Sequence, residues 1–328
     1  MSVEVVMPTV GRPSLHAALA PLLNRVKVMV VDDRPEGADL DLPDGVRVLR
    51  SWGGGPAAAR NTGWRATDAA WVAFLDDDVL PPADWVSLLE RDLAACDADV
   101  GASQGRLRVP LPADRRPTDW ERSTAGLETA VWATADMAYR RAALEDVGGF
   151  DERFPRAYRE DADLGLRVVE AGWRIERGAR TVDHPVRPTS WRQSIRSQHG
   201  NADDVLMRAL HGRDWRSRAS VPAGRRPWHL ATTAALLATA SPRTRVLGGV
   251  TWAVLTADFA RRRIAPGPRT PAEVATMAGT SAVLPVAATW WWLVGWARLP
   301  GHLRRGRVMS SDRPRPHLQQ PERAPARP

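Results

Sequence analysis

Three adjacent carboxylates, Asp76, Asp77 and Asp78, have the residue type and spacing most able to do chemistry in this sequence. They follow the apolar run Trp71–Leu75, which predicts a buried strand, and two prolines then end that strand. At the carboxyl end of a parallel strand, where α/β proteins bind ligands, clustered carboxylates favour a divalent cation that carries a phosphate. A solvated acidic turn is the alternative, and these residues alone leave both interpretations open.

A second acidic cluster contains Glu160 and Asp161 and opens a predicted helix that runs to about residue 172. Acidic residues in a first helical turn complement the helix dipole, so capping is an alternative to catalysis. His184 follows a short predicted strand, and a histidine in such a place is more often structural than a metal ligand. The two clusters therefore need elements that bring them together.

The pattern of apolar runs predicts an α/β sheet with mainly parallel strands, because strands and helices alternate along the first part of the chain. Residues 110–128 show little periodicity and predict a loop over the site. Strands are expected at 3–7, 26–31, 46–49, 71–75, 100–109, 134–140, 173–176 and 181–182. Helices are expected at 14–23, from the loop that begins at residue 53 to about residue 66, and at 84–95, 142–147 and 190–210.

Composition limits the class of protein. The 328 residues are 44% hydrophobic, enough for a full core, and the single Cys96 excludes an internal disulfide and a multi-cysteine zinc site. We expect a cytoplasmic active face because no amino-terminal signal peptide is visible. Residues 1–200 contain 26 Lys+Arg and 31 Asp+Glu, whereas residues 201–328 contain 20 and 7, a net charge of +13. This basic charge lies around apolar segments, which favours a membrane surface over nucleic acid.

The carboxyl-terminal third contains three uncharged apolar runs. Residues 228–240 and 246–257 are each too short to span a bilayer, but residues 274–297 are long enough and end in tryptophans followed by arginines. This pattern predicts membrane association through residues 228–300, with a soluble helical subdomain as the alternative. The predicted division is 1–215 for the α/β domain, 216–300 for the apolar helical region and 301–328 for a disordered Pro/Arg-rich tail.

Six short motifs in one order give the chain a resemblance to the family 2 glycosyltransferases of GT-A fold. Together they cover about residues 3–184. They are Val5-Val6-Met7-Pro8-Thr9, Val30-Val31-Asp32-Asp33, Ala59-Arg60-Asn61-Thr62-Gly63, Phe74-Leu75-Asp76-Asp77-Asp78, Gly148-Gly149-Phe150-Asp151-Glu152 and Arg159-Glu160-Asp161-Ala162-Asp163-Leu164.

The resemblance implies a nucleotide-diphosphate sugar donor and a Mn²⁺ or Mg²⁺ cofactor. Asp76 and Asp78 match the D-x-D motif, which binds the donor diphosphate through the metal, and Asp77 is expected to face away. Asp161 matches the catalytic base. The remaining implied site residues are Pro8, Thr9, Asp32 and Arg60 for the donor, His184 as a further metal ligand found in some relatives, and Glu160 in a supporting role.

The sequence departs from the family pattern at two places. The second strand ends in Asp32-Asp33-Arg34-Pro35 where the family commonly has a small residue, and the Gln-x-x-Arg-Trp pattern of processive synthases is missing. The expected function is therefore inverting transfer of one sugar to an acceptor hydroxyl at the inner face of the cell membrane, in cell-envelope or lipid-linked glycan synthesis. A nucleotidyltransferase on a related α/β fold and a non-catalytic membrane-bound scaffold remain the alternatives.

Overall fold

The computed structural model describes the backbone of residues 1–311 and the side chains of residues 1–304. Seven strands form one sheet: β1 Val3–Thr9, β2 Lys27–Asp32, β3 Arg47–Arg50, β4 Trp71–Leu75, β5 Val100–Arg108, β6 Asp136–Arg140 and β7 Arg174–Asp183. The strand order is β3-β2-β1-β4-β6-β5-β7. Only β6 runs antiparallel to its neighbours β4 and β5, so the predicted mixed, mainly parallel sheet is confirmed.

Helices cover both faces of the sheet and continue into a carboxyl-terminal helical region, as predicted. Their bounds are α1 Leu15–Leu19, α2 Pro56–Arg65, α3 Trp85–Ala94, α4 Asp119–Ala125, α5 Arg141–Val147, α6 Glu160–Glu170, α7 Gln193–Arg196, α8 Gly200–His211, α9 Trp215–Arg218, α10 Arg226–Ala238, α11 Arg245–Ile264 and α12 Pro271–Ser311. Two short 3₁₀ turns cover Gly126–Thr129 and Ser197–His199.

Alternation along the strands divides the core into two layers. On β1, Val6 packs in one layer, whereas Val5 and Met7 pack in the other. This is the period-2 pattern of a strand whose two faces are both covered. The polar residues are therefore left to the strand ends.

The sheet brings several distant segments to one edge. The strands β1, β2 and β4 are parallel, so Thr9, Asp32 and Asp76 reach the same edge. Leu80 also pairs with Asp183 at the end of β7, through N···O distances of 2.7 and 3.1 Å. This pairing brings His184 next to the acidic triplet.

Three local predictions were wrong. Residues 110–128 are not an uninterrupted loop, since a capping box formed by Thr118 and Glu121 starts α4. The two short strands predicted between 173 and 182 form the continuous strand β7, and the helix predicted over 190–210 is broken into α7, a 3₁₀ turn and α8. A single sequence window does not contain the partners that extend or interrupt these elements.

The carboxyl-terminal helices pack against the α/β domain and against one another. A side chain at Gly295 of α12 would approach the Ala202 backbone of α8 to 2.8 Å, so the two helices lie very close. Among the described residues, one helix, over Pro271–Arg304, is long and apolar enough to cross a membrane, and a third of its most apolar window is buried in the protein. The helix α12 continues to Ser311, and the predicted tail from residue 312 onward lies outside the described residues.

Candidate active site

An open cavity of about 890 Å³ lies at the edge where the polar strand ends meet. It collects residues from the ends of β1, β4 and β7 and from the starts of α2 and α6. All but one of the predicted site residues line it: Pro8, Thr9, Arg60, Asp76, Asp78, Glu160, Asp161 and His184.

Asp32 is the predicted residue that does not line this cavity. Its carboxylate is buried and accepts hydrogen bonds from the Arg34 side chain at 2.9 and 2.8 Å. These hydrogen bonds hold the pKa of Asp32 below its usual value. Asp33 lines the cavity instead and accepts hydrogen bonds from Ser51 and from the Gly55 backbone. The unusual Arg34 in this motif therefore binds the carboxylate that the resemblance assigns to the nucleotide.

Arg60 joins the two acidic clusters. Its guanidinium donates to Asp76 at 2.8 Å and to Glu160 at 2.9 Å, and the residue is almost completely buried. Burial alone would lower the pKa of Arg60, but the charges of Asp76 and Glu160 raise it above its usual value. Arg60 reaches the sheet edge because its helix α2 lies very close to β1. A Cβ added at Gly63 of α2 would lie 2.3 Å from the Val6 side chain.

The three residues of the acidic triplet have different partners. Asp77 is fully buried, accepts a hydrogen bond from the Thr9 hydroxyl at 2.5 Å and pairs with Arg12. Burial raises the pKa of Asp77 despite these partners. The Thr9 hydroxyl, which the resemblance assigns to binding of the sugar donor, therefore donates its hydrogen bond to Asp77.

Asp78 is the member of the triplet that lies beside His184. The imidazole Nε2 is 3.7 Å from Asp78 Oδ1, and Arg187 Nε is 3.2 Å from Asp78 Oδ2. A carboxylate and an imidazole at this separation can share a divalent cation. The buried Nδ1 of His184 has no hydrogen-bond partner among the described residues.

The protein ligands at this site fit a divalent metal ion only if the substrate supplies further ligands. Within residues 1–304, no group of three or more His, Cys, Asp and Glu side chains has the geometry to hold a metal ion. Asp78 and His184 would supply two ligands, and Asp76 is already bound by Arg60. Phosphate oxygens and water would complete the coordination, which is usual for Mg²⁺ bound with a nucleotide.

Asp161 lies at the start of α6 and is partly exposed to the cavity. Its Oδ1 accepts a hydrogen bond from the Ala162 backbone at 2.7 Å, but burial raises its pKa above that of an ordinary aspartate. Burial, with the charge of Asp161, also raises the pKa of neighbouring Glu160 to about 8. A carboxylate with a raised pKa at a cavity wall is suited to accept a proton from a substrate hydroxyl.

The start of α6 is held from outside the cavity by α8. Arg159 has a positive φ of 79°, and its Nε donates to the buried Asp204 at 2.9 Å. Arg216 of α9 also binds Asp204, and the Arg159 guanidinium lies 5.0 Å from the Trp215 ring. An arginine in this conformation is strained, so these contacts fix the residue that precedes Glu160 and Asp161.

Sequence reasoning missed Arg12, Asp203 and Asp204. Arg12 neutralises Asp77, and Asp203 binds Arg156 of the cavity wall at 2.6 Å. Asp203 and Asp204 are adjacent acids in a basic region of the sequence, which favours ion pairs there. The sequence does not show which arginine each of them binds.

The sheet and its acidic cleft form an α/β domain with a candidate ligand site at the carboxyl edge of its strands. Residues 4–148 match the family model described as glycosyl transferase family 2. This match, over somewhat less than half of the chain, confirms the resemblance that the motifs predicted.

Two relatives of known name match a longer stretch. They are the pre-mycofactocin glycosyltransferases of Mycobacterium tuberculosis strains CDC 1551 / Oshkosh and ATCC 25618 / H37Rv, each 33% identical over 196 residues. The match covers 53% of this chain and 40% of each relative, so the chain spans less than half the length of these relatives.

Two solved structures of low sequence identity illustrate what this chain is similar to. Glucosyl-3-phosphoglycerate synthase from Mycobacterium tuberculosis, in complex with Mg²⁺ and uridine diphosphate, is 16% identical with a TM-score of 0.44, over 68% of this chain and 81% of that one. S. aureus TarS 1-349 is 14% identical with a TM-score of 0.42, over 93% of this chain and 92% of that one.

Proposed function

We propose that this chain is a metal-dependent, inverting glycosyltransferase that moves one sugar from a nucleotide-diphosphate sugar to an acceptor hydroxyl. The observation that carries the proposal is one cavity that contains both the Asp78–His184 pair and Asp161, on a domain of glycosyl transferase family 2. Similarity of the matched region to pre-mycofactocin glycosyltransferases supports the same class of reaction.

The proposed roles follow from the contacts of each residue. Asp78 and His184 would hold Mn²⁺ or Mg²⁺, which when bound would neutralise the charge of the leaving nucleoside diphosphate. Arg60 keeps Asp76 at the edge of the cavity, and Glu160 keeps Arg60 in place. Pro8, Thr9 and Asp33 form the wall against which the nucleoside would lie.

Asp161 would act as the general base. It would take the proton of the acceptor hydroxyl as that oxygen forms a bond to the anomeric carbon, while the bond from this carbon to the diphosphate oxygen breaks. Attack opposite the leaving group inverts the anomeric configuration. The raised pKa of Asp161 supports this role, because a stronger base takes the proton more readily.

The experiment is donor-dependent release of nucleoside diphosphate from UDP-, GDP- and dTDP-sugars, with Mn²⁺ or Mg²⁺ added. We expect Asp161→Asn to lower turnover by about 10²–10⁴-fold. Asp68→Asn is the matched control, because Asp68 is exposed and does not line the cavity. Wild-type turnover in Asp161→Asn would refute the proposal, and pyrophosphate release from a nucleoside triphosphate would favour a nucleotidyltransferase.

The proposal includes a location at the inner face of the cell membrane, where a cell-envelope or lipid-linked acceptor would be available. The net charge of +13 in residues 201–328 and the apolar helix over Pro271–Arg304 support it. A third of the most apolar window of this helix is buried in the protein, so exposed apolar residues of the region would supply the contact with the membrane.

A further inference from the structure

The two most exposed apolar residues of the carboxyl-terminal region, Val246 and Leu247, lie on α11. Val246, Leu247, Val250 and Val254 are between 58% and 74% exposed. Their spacing puts them on one side of the helix, opposite Gly248 and Phe259, which are buried. Leu237, in the last turn of α10, is 70% exposed. We name Val246, Leu247, Val250 and Val254 the α11 face.

The longer helix α12, which the sequence predicts as the membrane element, is attached to the protein. Its Trp291 ring lies 3.9 Å from the His199 ring, and its Gly295 packs against Ala202 of α8. Its Thr280 and Ser281 accept hydrogen bonds from the buried Arg263 at 2.8 and 3.1 Å. A helix that crossed a bilayer would lose these contacts, and Arg263 would lose its hydroxyl partners.

Two arginines precede the α11 face along the chain, at the amino-terminal end of the helix. Arg243 and Arg245 are exposed in the turn before α11 and at its first residue, and neither forms an ion pair within the described part of the chain. Cations at a helix N-terminus oppose the helix dipole, so they do not stabilise α11. At the other end, Arg261 and Arg262 complement the dipole and bind Asp258. An exposed apolar face next to unpaired cations is complementary to an anionic lipid surface.

We propose that the α11 face, with Arg243 and Arg245, binds the surface of an anionic lipid bilayer, with α11 lying in the interface and α12 remaining packed on the protein. The aliphatic side chains enter the boundary between headgroups and acyl chains, and the arginines bind lipid phosphates. This inference rests on the proposed membrane association and not on the proposed sugar transfer.

The test is co-sedimentation of the full chain with vesicles of phosphatidylcholine alone or with 30% phosphatidylglycerol. Two arginines near an anionic surface are expected to strengthen binding about thirtyfold. Binding should weaken at high salt, and Arg243→Gln with Arg245→Gln should reduce it to the phosphatidylcholine level. Val250→Glu with Val254→Glu should abolish it. Val48→Glu, an exposed valine on β3, is the matched control.

Circular dichroism of each variant checks folding, which exposed substitutions should leave intact. The proposal is overturned if the folded wild-type chain does not sediment with the anionic vesicles, or if the double glutamate variant still does. Binding that resists high salt and alkaline extraction would mean that a helix spans the bilayer. A dimer lost in the glutamate variant, without vesicle binding, would assign the face to a second copy. Nucleoside diphosphate release without lipid should be equal in all these variants, so failure of either proposal is recognisable by itself.

Discussion

Replacement of Arg60 by methionine tests the bridge between the two acidic clusters. Methionine has a similar length, so the packing above the Phe150 ring, which lies 5.5 Å from the guanidinium, is largely preserved. The substitution removes the charge that Asp76 and Glu160 share. Removing one partner of a buried ion pair costs about 3–5 kcal/mol, because a buried charge is left without compensation.

The expected loss of stability depends on pH. Glu160 has a pKa of about 8 in the folded chain, above the ordinary value of about 4.3. A carboxyl group whose pKa is higher in the folded chain makes its full contribution to the free energy of unfolding at low pH. This contribution is lost as the pH rises through the folded-state pKa. Without Arg60 the pKa of Glu160 should rise further. Arg60→Met should therefore be less destabilising at pH 6 than at pH 9.

The assay is urea unfolding followed by tryptophan fluorescence. Arg65→Met is the matched control on the same helix, since Arg65 is half exposed and lies 3.5 Å from Glu152. Such a surface pair contributes about 0–1 kcal/mol. At pH 9, above the pKa of Glu160 in the parent chain, adding Glu160→Gln to Arg60→Met should recover about 2 kcal/mol or more, because the neutral amide needs no counter-charge. Equal losses for Arg60→Met and Arg65→Met, or strictly additive effects in the cycle, both measured at pH 9, would refute a shared buried charge network.

Three further outcomes are expected. His184→Gln should raise the Mn²⁺ concentration needed for half-maximal turnover by about tenfold to a hundredfold, while unchanged metal dependence would exclude ligation by His184. Asp204→Asn should lower kcat by up to about a hundredfold with the donor KM unchanged, because Asp204 holds Arg159 without lining the cavity; a changed donor KM would contradict a role in positioning alone. Turnover should fall as the pH drops through the raised pKa of Asp161, since the base must be ionised, and this acidic limb should be missing from the residual rate of Asp161→Asn. Initial rates measured between pH 4 and 9 check the last outcome.

Most of the cavity wall could be predicted because its residues occupy the ends of recognisable strands. The apolar run Trp71–Leu75 predicts β4, and the acidic triplet after it must then lie at the carboxyl edge of the sheet. Thr9 and His184 reach this edge by the same rule, although the partner of Thr9 turned out to be Asp77. The position of Asp32 at this edge was also predictable. Its hydrogen bonds with the Arg34 side chain were not, because a local sequence pattern does not define where a flexible side chain points.

The sequence by itself determined the class of domain, the acidic triplet and the candidate base, because strand periodicity and motif order are properties of neighbouring residues. Only the tertiary structure decided which carboxylate has which partner. Arg60 and Glu160 are 100 residues apart, and Asp204 holds Arg159 from a helix outside the cavity. It also decided which side of α12 packs on the protein and that the α11 face stays exposed, since apolar composition is the same for a buried helix and for one that meets a membrane. Charges and apolar surfaces are compensated through space, and the fold selects the partners.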